Sequence, residues 1–473
     1  MNPLALLASA ALSVAPEVPA ATARPVLTLE AAMAEARAHN LDLRIAGERL
    51  AQAETLRSKA WSYYLPQVSV SGGYSWNSDD VVLDLPTSFA IREVVDPSTG
   101  QPVNWPIGSK PQDPTKPISP ANPPGLPTPY LLYPLSTEEL ELQRREQHGV
   151  QAEVQQALFA PQVLEAVRTA GRARELGGAR VEAATQDVLF GVAQLYYGAA
   201  SLQQVVAVQE RTLETWRRHE ADAEQLVAQG AAPKLALLKA RTDRARAEED
   251  LIRSRNSYDA TRQALATLLD RDADFEVARP PAPAAVLGDP EEDAAARPDV
   301  RAALAGESLA QSEENEITAR YLPTIGLTGD WQWASITGFT GKHQGWEVTL
   351  GARWTLFDGG RREADRAEAE HRVAEAEAFT AQARTKARDE VRRAQLDRDS
   401  AYAAQRKAEE QARLAAEALQ HAQAAYAQGA ATYLEVSDAT TAQENADLAL
   451  VTEELNAQLA GLRLARAAGQ LGR

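Results

Sequence analysis

Three short phrases occur twice in this chain, in the same order. Tyr64-Leu65-Pro66 returns as Tyr321-Leu322-Pro323, Leu158-Phe159 as Leu356-Phe357, and Ala228-Gln229-Gly230-Ala231-Ala232 as Ala427-Gln428-Gly429-Ala430-Ala431. Each copy holds two short segments of alternating polarity followed by a long helical stretch broken at the glycine. A period of roughly 200 residues is too long for a solenoid unit, so the pattern reads as an internal duplication of one supersecondary block. Any fold for this chain must accommodate four short strands and very long helices.

No stretch after the N-terminal region reaches the ~18 consecutive apolar residues that a spanning helix requires, so a membrane-crossing version would cross with strands. Four segments have the pattern. In Trp346 to Phe357, Glu347, Thr349, Gly351, Arg353 and Thr355 line one face, while Trp346, Val348, Leu350, Ala352, Trp354 and Leu356 line the other; this is the period-two alternation of a strand. Gln67 to Trp76 sets Val68, Val70, Tyr74 and Trp76 against Gln67, Ser69, Ser71, Gly73 and Ser75, and Thr324 to Trp333 sets Ile325, Leu327, Trp331 and Trp333 against Thr328, Asp330 and Gln332. Val150 to Phe159 has the weakest alternation of the four. Trp76, Trp331, Trp333, Trp346 and Trp354 fall near strand ends, matching the aromatic girdle of a transmembrane barrel. A soluble, half-buried antiparallel sheet gives the same alternation, but strands of ~10 residues with one apolar and one polar face are what a tilted membrane strand needs. Four strands do not close a barrel. Open edges in lipid leave backbone donors unpaired at several kcal/mol each, so a spanning version demands several chains sharing one barrel.

The helices are equally unusual. From Phe159 to Gly230, and from Gly360 to Gly429, no proline follows Pro161; some 70 residues at 1.5 Å each make a rod of roughly 100 Å. Val181, Val188, Leu195 and Leu202 recur as a heptad with Ala184, Gly191, Gly198 and Val205 between them, predicting a coiled-coil seam of small residues. Gly230 and Gly429 suit left-handed helix stops, Pro233 suits a first turn, and Thr432 with Glu435 has capping-box spacing. The rods therefore fold back as hairpins, with returning helices at about Pro233 to Leu269 and Thr432 to Ala468. Thr28 to Ser62 and Pro298 to Arg320 are also helical, and end-to-end stacking on the returning helices would make up the missing length.

Composition removes some function classes. With 49 basic against 66 acidic side chains and a net charge of −17, the chain lacks the basic face that nucleic acid binding needs. It contains no cysteine, which excludes disulfides and thiolate metal sites and fits an oxidising compartment. Residues 1–23 resemble a signal peptide, with an apolar run from Leu4 to Val14 and a small-x-small site at Ala21-Thr22-Ala23. Met1-Asn2-Pro3 lacks the usual basic residue, so either that region is atypical or the true start lies elsewhere.

The duplicated layout, Leu356-Phe357-Asp358-Gly359-Gly360, the opening Leu27-Thr28-Leu29-Glu30-Ala31-Ala32, and Tyr426-Ala427-Gln428-Gly429 followed by Leu434-Glu435-Val436-Ser437-Asp438-Ala439-Thr440 resemble the TolC-type outer-membrane efflux proteins. The resemblance covers nearly the whole chain after residue 23. It implies a mainly α fold with transmembrane β, built from a duplicated strand-strand-long helical hairpin repeat. Three copies would form a twelve-stranded β-barrel in the outer membrane of a Gram-negative bacterium and a long α-helical barrel in the periplasm. The first repeat would span 24–270, with a proline-rich insertion at about 82–140. A linker at 271–296 would join it to a second repeat at 297–473. The insertion, which holds Gln101-Pro102 and the run Pro111 to Pro134, is expected not to continue a ladder and to form an extended surface loop.

The resemblance also assigns residues. Acids just after the second hairpin turn form rings at the family's periplasmic constriction, and Glu435 and Asp438 occupy those positions, three apart on one helical face. Such rings favour cations. Helix capping is the alternative for both acids, since acids in a first turn stabilise the macrodipole. The corresponding residues of the first hairpin are Ala236 and Lys239. Tyr426 matches a tyrosine that helps hold the family's closed state, while Ala431 stands where a basic partner is sometimes found. Tip residues Gly230, Ala231, Ala232 and Leu235 in one hairpin and Gly429, Ala430, Ala431 and Leu434 in the other resemble the surface on which periplasmic adaptor hairpins dock. Leu235 and Leu434 also suit interhelical core.

No enzyme is expected and no cofactor is implied. Six histidines are scattered without a His-Glu-x-x-His pair, and no phosphate loop is present. Asp270 to Asp274 opens like a calcium loop, but Phe275 takes the obligatory glycine position and Pro281 the bidentate acid's, so a helix terminus is expected. The expected function is the passive channel of a tripartite efflux or type I secretion system. Its expected partners are a homotrimer, outer-membrane lipid, a periplasmic adaptor and an inner-membrane pump of the RND, ABC or MFS type. The alternative is a soluble periplasmic coiled-coil scaffold or adaptor.

Overall fold

The computed structural model describes residues 24–93, 130–230, 232–282 and 294–471. The expected leader, tip residue Ala231, and the interiors of the insertion and the linker lie outside the described residues. In chain order the elements are β1 (Val26–Leu27), α1 (Leu29–His39), α2 (Leu41–Ser62), β2 (Gln67–Trp76), β3 (Val81–Glu93), β4 (Tyr130–Gln143), β5 (Glu146–Phe159), α3 (Pro161–Ala228) and α4 (Lys234–Leu269). They continue with β6 (Glu276–Val277), α5 (Pro298–Ala319), β7 (Thr324–Ala334), β8 (Gln344–Arg353), α6 (Arg361–Ala427) and α7 (Tyr433–Ala467). Contacts divide the chain into two units: residues up to 56, 168–314 and 366 onward in one, and 57–167 with 315–365 in the other.

Punctuation residues set the helix limits. Pro161 and Pro298 open α3 and α5 at the first helical position, where a missing N–H costs nothing. Gly230 and Gly429 adopt φ of 71° and 72°, the left-handed turn that closes a helix C-terminus. Ala232 N then donates to Leu226 O (3.2 Å) and Ala430 N to Ala425 O (2.9 Å), satisfying terminal carbonyls. Thr432 caps α7 through a full capping box with Glu435.

The long helices α3 and α6 have 68 and 67 residues, whereas the returning α4 and α7 have 36 and 35. Helices α2 and α5, 22 residues each, meet the returning helices end to end at two joints. At the first, Asn40 Oδ1 accepts from Leu43 N (3.1 Å), capping α2, while its Nδ2 donates to Leu268 O (2.9 Å) at the end of α4. At the second, the buried Arg297 donates to Ala467 O at the end of α7 (3.3 Å), grips Asp299 with two hydrogen bonds (2.9 and 2.7 Å), and pairs with Glu390 of α6 (2.7 Å). Burial alone would raise the Asp299 pKa, but the Arg297 hydrogen bonds and charge override it and hold the carboxyl below its ordinary value. Each joint thus lets one residue satisfy the orphan carbonyls of one helix and position the start of the next.

The heptad seam expected on α3 is only partly correct. The largest fully buried side chains of α3 include Leu189, Val192, Tyr196 and Tyr197, with Ala193 buried among them, because the helix is packed on two sides rather than along one stripe. One side meets Leu27, Ala32, Ala36, Leu265, Leu269 and Phe275, and the other meets Leu462 and Leu471. The Tyr196 hydroxyl lies 2.9 Å from the carbonyls of Leu27 and Ala278, tying α3 to the parallel pair β1 and β6. A Cβ added at Gly191 or Gly198 would make only ordinary contacts of 3.6 and 3.9 Å, so these glycines are not required for close approach. Asp270 is a left-handed helix cap (φ 55°), and Arg271 and Arg24 engage Glu35 and Asp274. The segment is a helix terminus, as its sequence suggests.

The second unit is built on a four-stranded antiparallel sheet in the order β2-β5-β7-β8. β2 has the limits expected, and β7 extends one residue further. β5 begins at Glu146 rather than Val150, because β2 pairs along its whole length, up to Trp76 opposite Glu146. The last strand ends at Arg353 instead of Phe357. Its neighbour β7 starts at Thr324 after Pro323, which offers no N–H to extend the ladder, so Trp354 leaves the sheet and donates its indole N–H to Tyr321 O (3.1 Å).

The limbs of the insertion do form a ladder, contrary to expectation. β3 pairs antiparallel with β4, with register shifts around Pro86 to Phe89. A two-stranded ribbon leaves each strand an open side, and a bulge absorbs the proline.

The joints give the first prediction. Asn40→Ala removes both a cap and a cross-link to α4, and should lower the denaturant stability of the helical unit by about 1–2 kcal/mol. Unchanged unfolding in detergent would show that the joint contributes nothing.

Candidate functional site

Register places the sheet's side chains in rows. Val70, Ala152, Trp331 and Trp346 stand opposite one another, and the row toward the start of β2 holds Val68, Val154, Gly329 and Val348. Leu327 faces Leu350 beyond them. Most of these apolar side chains are exposed, Val70 at 71% and Leu350 at 67%, while Ala152 and Leu327 are half-buried. The opposite face is polar, and its central row is Ser69, Glu153, Asp330 and Glu347. Like charges directly opposite destabilise a sheet, so three carboxylates in one row require water or counter-ions beside them.

Aromatic residues bracket the apolar rows. At one end of the strands are Tyr74, Trp76, Trp331, Trp333 and Trp346, with the Trp333 ring between His148 (5.5 Å) and His343 (6.5 Å). The structure separates Trp354 from these four tryptophans and puts it at the other end. There it joins exposed Trp61, Tyr63 and Phe357; Trp61 and Tyr63 lie ahead of β2, where period-two reasoning does not reach, and Phe357 lies past the end of β8. Leu65, Leu322 and Leu356 are exposed alongside. Among the described residues no helix is long and apolar enough to cross a membrane.

At the second hairpin, Glu435 and Asp438 are both exposed on α7, whereas Val436 and Ser437 between them are buried. The Glu435 carboxylate accepts from Thr432 N (2.6 Å) and from the Thr432 hydroxyl (3.0 Å). These donors hold its pKa below the ordinary carboxylate value. Asp438 makes no hydrogen bond or ion pair among the described residues. Capping and a solvent-facing charge therefore coexist at Glu435, and neither excludes the other.

Tyr426 is half-buried against Ala223, Leu237, Ala240 and Tyr433; burial and the nearby Asp222 push its hydroxyl pKa up. The hydrogen-bonded tyrosine is Tyr433, whose hydroxyl donates to Asp243 of α4 (3.4 Å), as does Ser437 (3.3 Å). Sequence reasoning missed this pair, although Tyr433, Ser437 and Thr440 share one heptad-spaced face. Leu235 and Leu434 are 74% and 53% exposed, so within one chain they are not interhelical core; Leu237 and Val436 fill that role. Gly230, Ala232, Gly429, Ala430 and Ala431 lie at the same tips, open or half-open to solvent. Below the first tip, Arg241 and Arg244 bridge α4 to Glu220 of α3 at 3.2 and 2.5 Å.

A duplicated block of paired strands and very long helical hairpins, with a sheet apolar on one face and polar on the other, defines the class to which comparison then gives a name. The outer membrane efflux protein family matches residues 133–271 and 290–470, and the chain belongs to that family. Solved structures share the fold. VceC, an outer membrane protein of Vibrio cholerae, is 19% identical with a TM-score of 0.69, covering 93% of this chain and 96% of its own. The MtrE outer membrane channel of Neisseria gonorrhoeae, solved in an open state, is 19% identical with a TM-score of 0.67 (93% and 88% covered). The CmeC outer membrane channel of Campylobacter jejuni is 15% identical with a TM-score of 0.69 (93% and 85%). No curated protein matches the sequence.

The two sheet faces predict opposite responses to charge. Leu350→Arg, on the apolar face, should cost about 2–4 kcal/mol of folding free energy in a bilayer, while Thr349→Arg, next to it on the polar face, should cost far less. Equal costs in a lipid-refolding titration would contradict the assignment of faces.

Proposed function

We propose that this chain is the outer-membrane channel of a tripartite efflux or type I secretion system. In this reading residues 1–23 are removed, and repeats 24–270 and 297–473, joined by the linker 271–296, form a passive duct. Three copies close a twelve-stranded barrel, and their hairpins form the periplasmic tunnel. The observation that carries the reading is the sheet itself. Its apolar rows are exposed between two aromatic bands, its acidic row requires water, and strands β2 and β8 are open edges. Lipid outside, water inside and a neighbouring copy at each edge satisfy all three conditions together. The soluble scaffold leaves the apolar face uncovered, which disfavours it.

Within the duct, Glu435 and Asp438 form the acidic constriction and Tyr426 contributes to its closed state. Trp76, Trp331, Trp333, Trp346 and Trp354 anchor the barrel at the membrane interfaces. Gly230, Ala231, Ala232 and Leu235 of one tip and Gly429, Ala430, Ala431 and Leu434 of the other receive a periplasmic adaptor, whose inner-membrane pump, of the RND, ABC or MFS type, supplies the energy. Small molecules or proteins are the cargo.

Purified protein in a planar bilayer under a salt gradient should give cation-selective channels. Glu435→Ala/Asp438→Ala should move the reversal potential toward zero; an unchanged potential would return both acids to capping alone. A carboxylate with a depressed pKa keeps its charge to lower pH and loses it as pH falls through that pKa. Thr432→Ala removes the hydroxyl donor and lets the Glu435 pKa rise, so selectivity should be lost at a higher pH than in wild type. An unshifted titration would contradict the role of Thr432.

A further inference from the structure

Helix α7 meets the first hairpin along a seam whose chemistry changes along its length. Tyr433, Ser437, Thr440 and Glu444 are spaced by four, three and four residues, which keeps one helical face toward its neighbours. Tyr433, Ser437 and Thr440 are buried and Glu444 is half-buried. Their partners are Asp243 of α4, His219 of α3 and Gln209 of α3. Farther from the tip, α7 instead packs Leu455, Leu459 and Leu462 with Leu189, Ala193 and Tyr197. A polar contact exchanges for water at a net cost near 1 kcal/mol, whereas parting an apolar seam exposes all of its area. The tip half of the seam is therefore the half that parts most readily.

His219 is the one histidine in that half. It is 8% exposed, its ring stands edge-to-face with Trp216 (5.7 Å, 69°), and its Nε2 lies 3.3 Å from Thr440 Oγ1. The Thr440 hydroxyl donates its own hydrogen to Val436 O (2.8 Å), so its oxygen is the acceptor and His219 Nε2–H the donor. The bond thus assigns the neutral Nε2–H tautomer, and a second proton at Nδ1 would place a cation in a buried seam.

We propose that His219 is a proton-operated latch between the two hairpins, in which neutral His219 holds α7 to α3 through Thr440 and protonated His219 releases the tip half of the seam to water. The latch rests on the reading of the protein as a duct whose hairpin tips control passage. Burial lowers the His219 pKa; Asp222 on α3 and Asp243 on α4 act against that, and Arg218 on α3 acts with it. Tyr426 of α6 and Tyr433 of α7, which pack against Ala223 and Ala240 of the first hairpin, have raised pKa values and stay neutral through the range concerned, while Glu417 and His421 of α6 and Glu435 and Asp438 of α7 face solvent. In the parted state His219 is wet and binds its proton near pH 6.5; in the closed state it does so only at lower pH. As pH falls through ~6.5, the parted state gains by up to tenfold per pH unit until the closed-state pKa is reached. One turn along, burial raises the Glu444 pKa, and its protonation favours the closed seam, opposing the latch.

The test is hydrogen exchange of the detergent-solubilised full chain at pH 7.5 and 5.5, corrected for intrinsic rates and read on residues 433–446 against 455–464. Protection of 433–446 should fall by about fivefold at pH 5.5 in wild type, with 455–464 unchanged. His219→Gln, which keeps a donor but does not titrate, should abolish the fall. Asp222→Asn, which removes a carboxylate that favours the proton in the closed seam without touching Thr440, should lower the closed-state pKa and deepen the fall at pH 5.5. Unchanged protection in wild type, or the same fall in His219→Gln, would overturn the latch; if His219→Gln does not fold, a fall in Asp222→Asn no larger than that of wild type would do so. The measurement needs no conduction, so failure to form channels in a bilayer would count against the duct alone.

Discussion

Everything in this molecule depends on where its backbone hydrogen bonds go. A sheet that turns one face to lipid has no water to satisfy an open edge, and four strands have two such edges. β2 and β8 carry them here, one from each repeat. Duplication supplies two hairpin-bearing blocks per chain, yet it still leaves the sheet far short of closure, and only further copies of the same edges complete it. The acidic row Glu153, Asp330 and Glu347 is the counterpart on the other face: it requires water or counter-ions, which the proposed closed barrel would enclose.

The same accounting governs the helices. A rod as long as α3 or α6 needs a partner of comparable length, and each returning helix is about half that. Asn40 and Arg297 solve the problem with different chemistry at corresponding places, one by an amide that caps and donates at once, the other by a buried guanidinium held between Asp299 and Glu390. Both join two helices end to end without leaving the terminal carbonyls orphaned. Arg297 is the more exacting solution, because removing Asp299 or Glu390 would leave a buried charge poorly compensated.

Much of this was legible in the sequence because the relevant signals are local. Proline, left-handed glycine and the Thr432/Glu435 box set helix ends within a residue or so, and alternation located β2 without error. What escaped was non-local. The end of β8 is decided by Pro323 on the neighbouring strand, and the start of β5 by the length of β2. The burial of α3 on two sides depends on which helices arrive there, so a single heptad stripe gave an incomplete core. The proline-rich insertion seemed unable to pair, but a two-stranded ribbon has open sides that accept Pro86. At the tips, the resemblance points to Tyr426, while Tyr433, the first residue past the cap Thr432, makes the hydrogen bond to Asp243. The heptad spacing of Tyr433, Ser437, Thr440 and Glu444 was visible in the sequence, but only the arrival of α3 and α4 gives it meaning.

The most direct test of barrel closure by neighbouring copies is the mass of the folded protein extracted from membranes in mild detergent, measured by native mass spectrometry. Closure of a twelve-stranded barrel predicts a species of three chains, each of 51.1 kDa less the mass of the removed residues 1–23, with no stable single chain. A folded single chain that persists in detergent with its apolar sheet face and both edges open would contradict it.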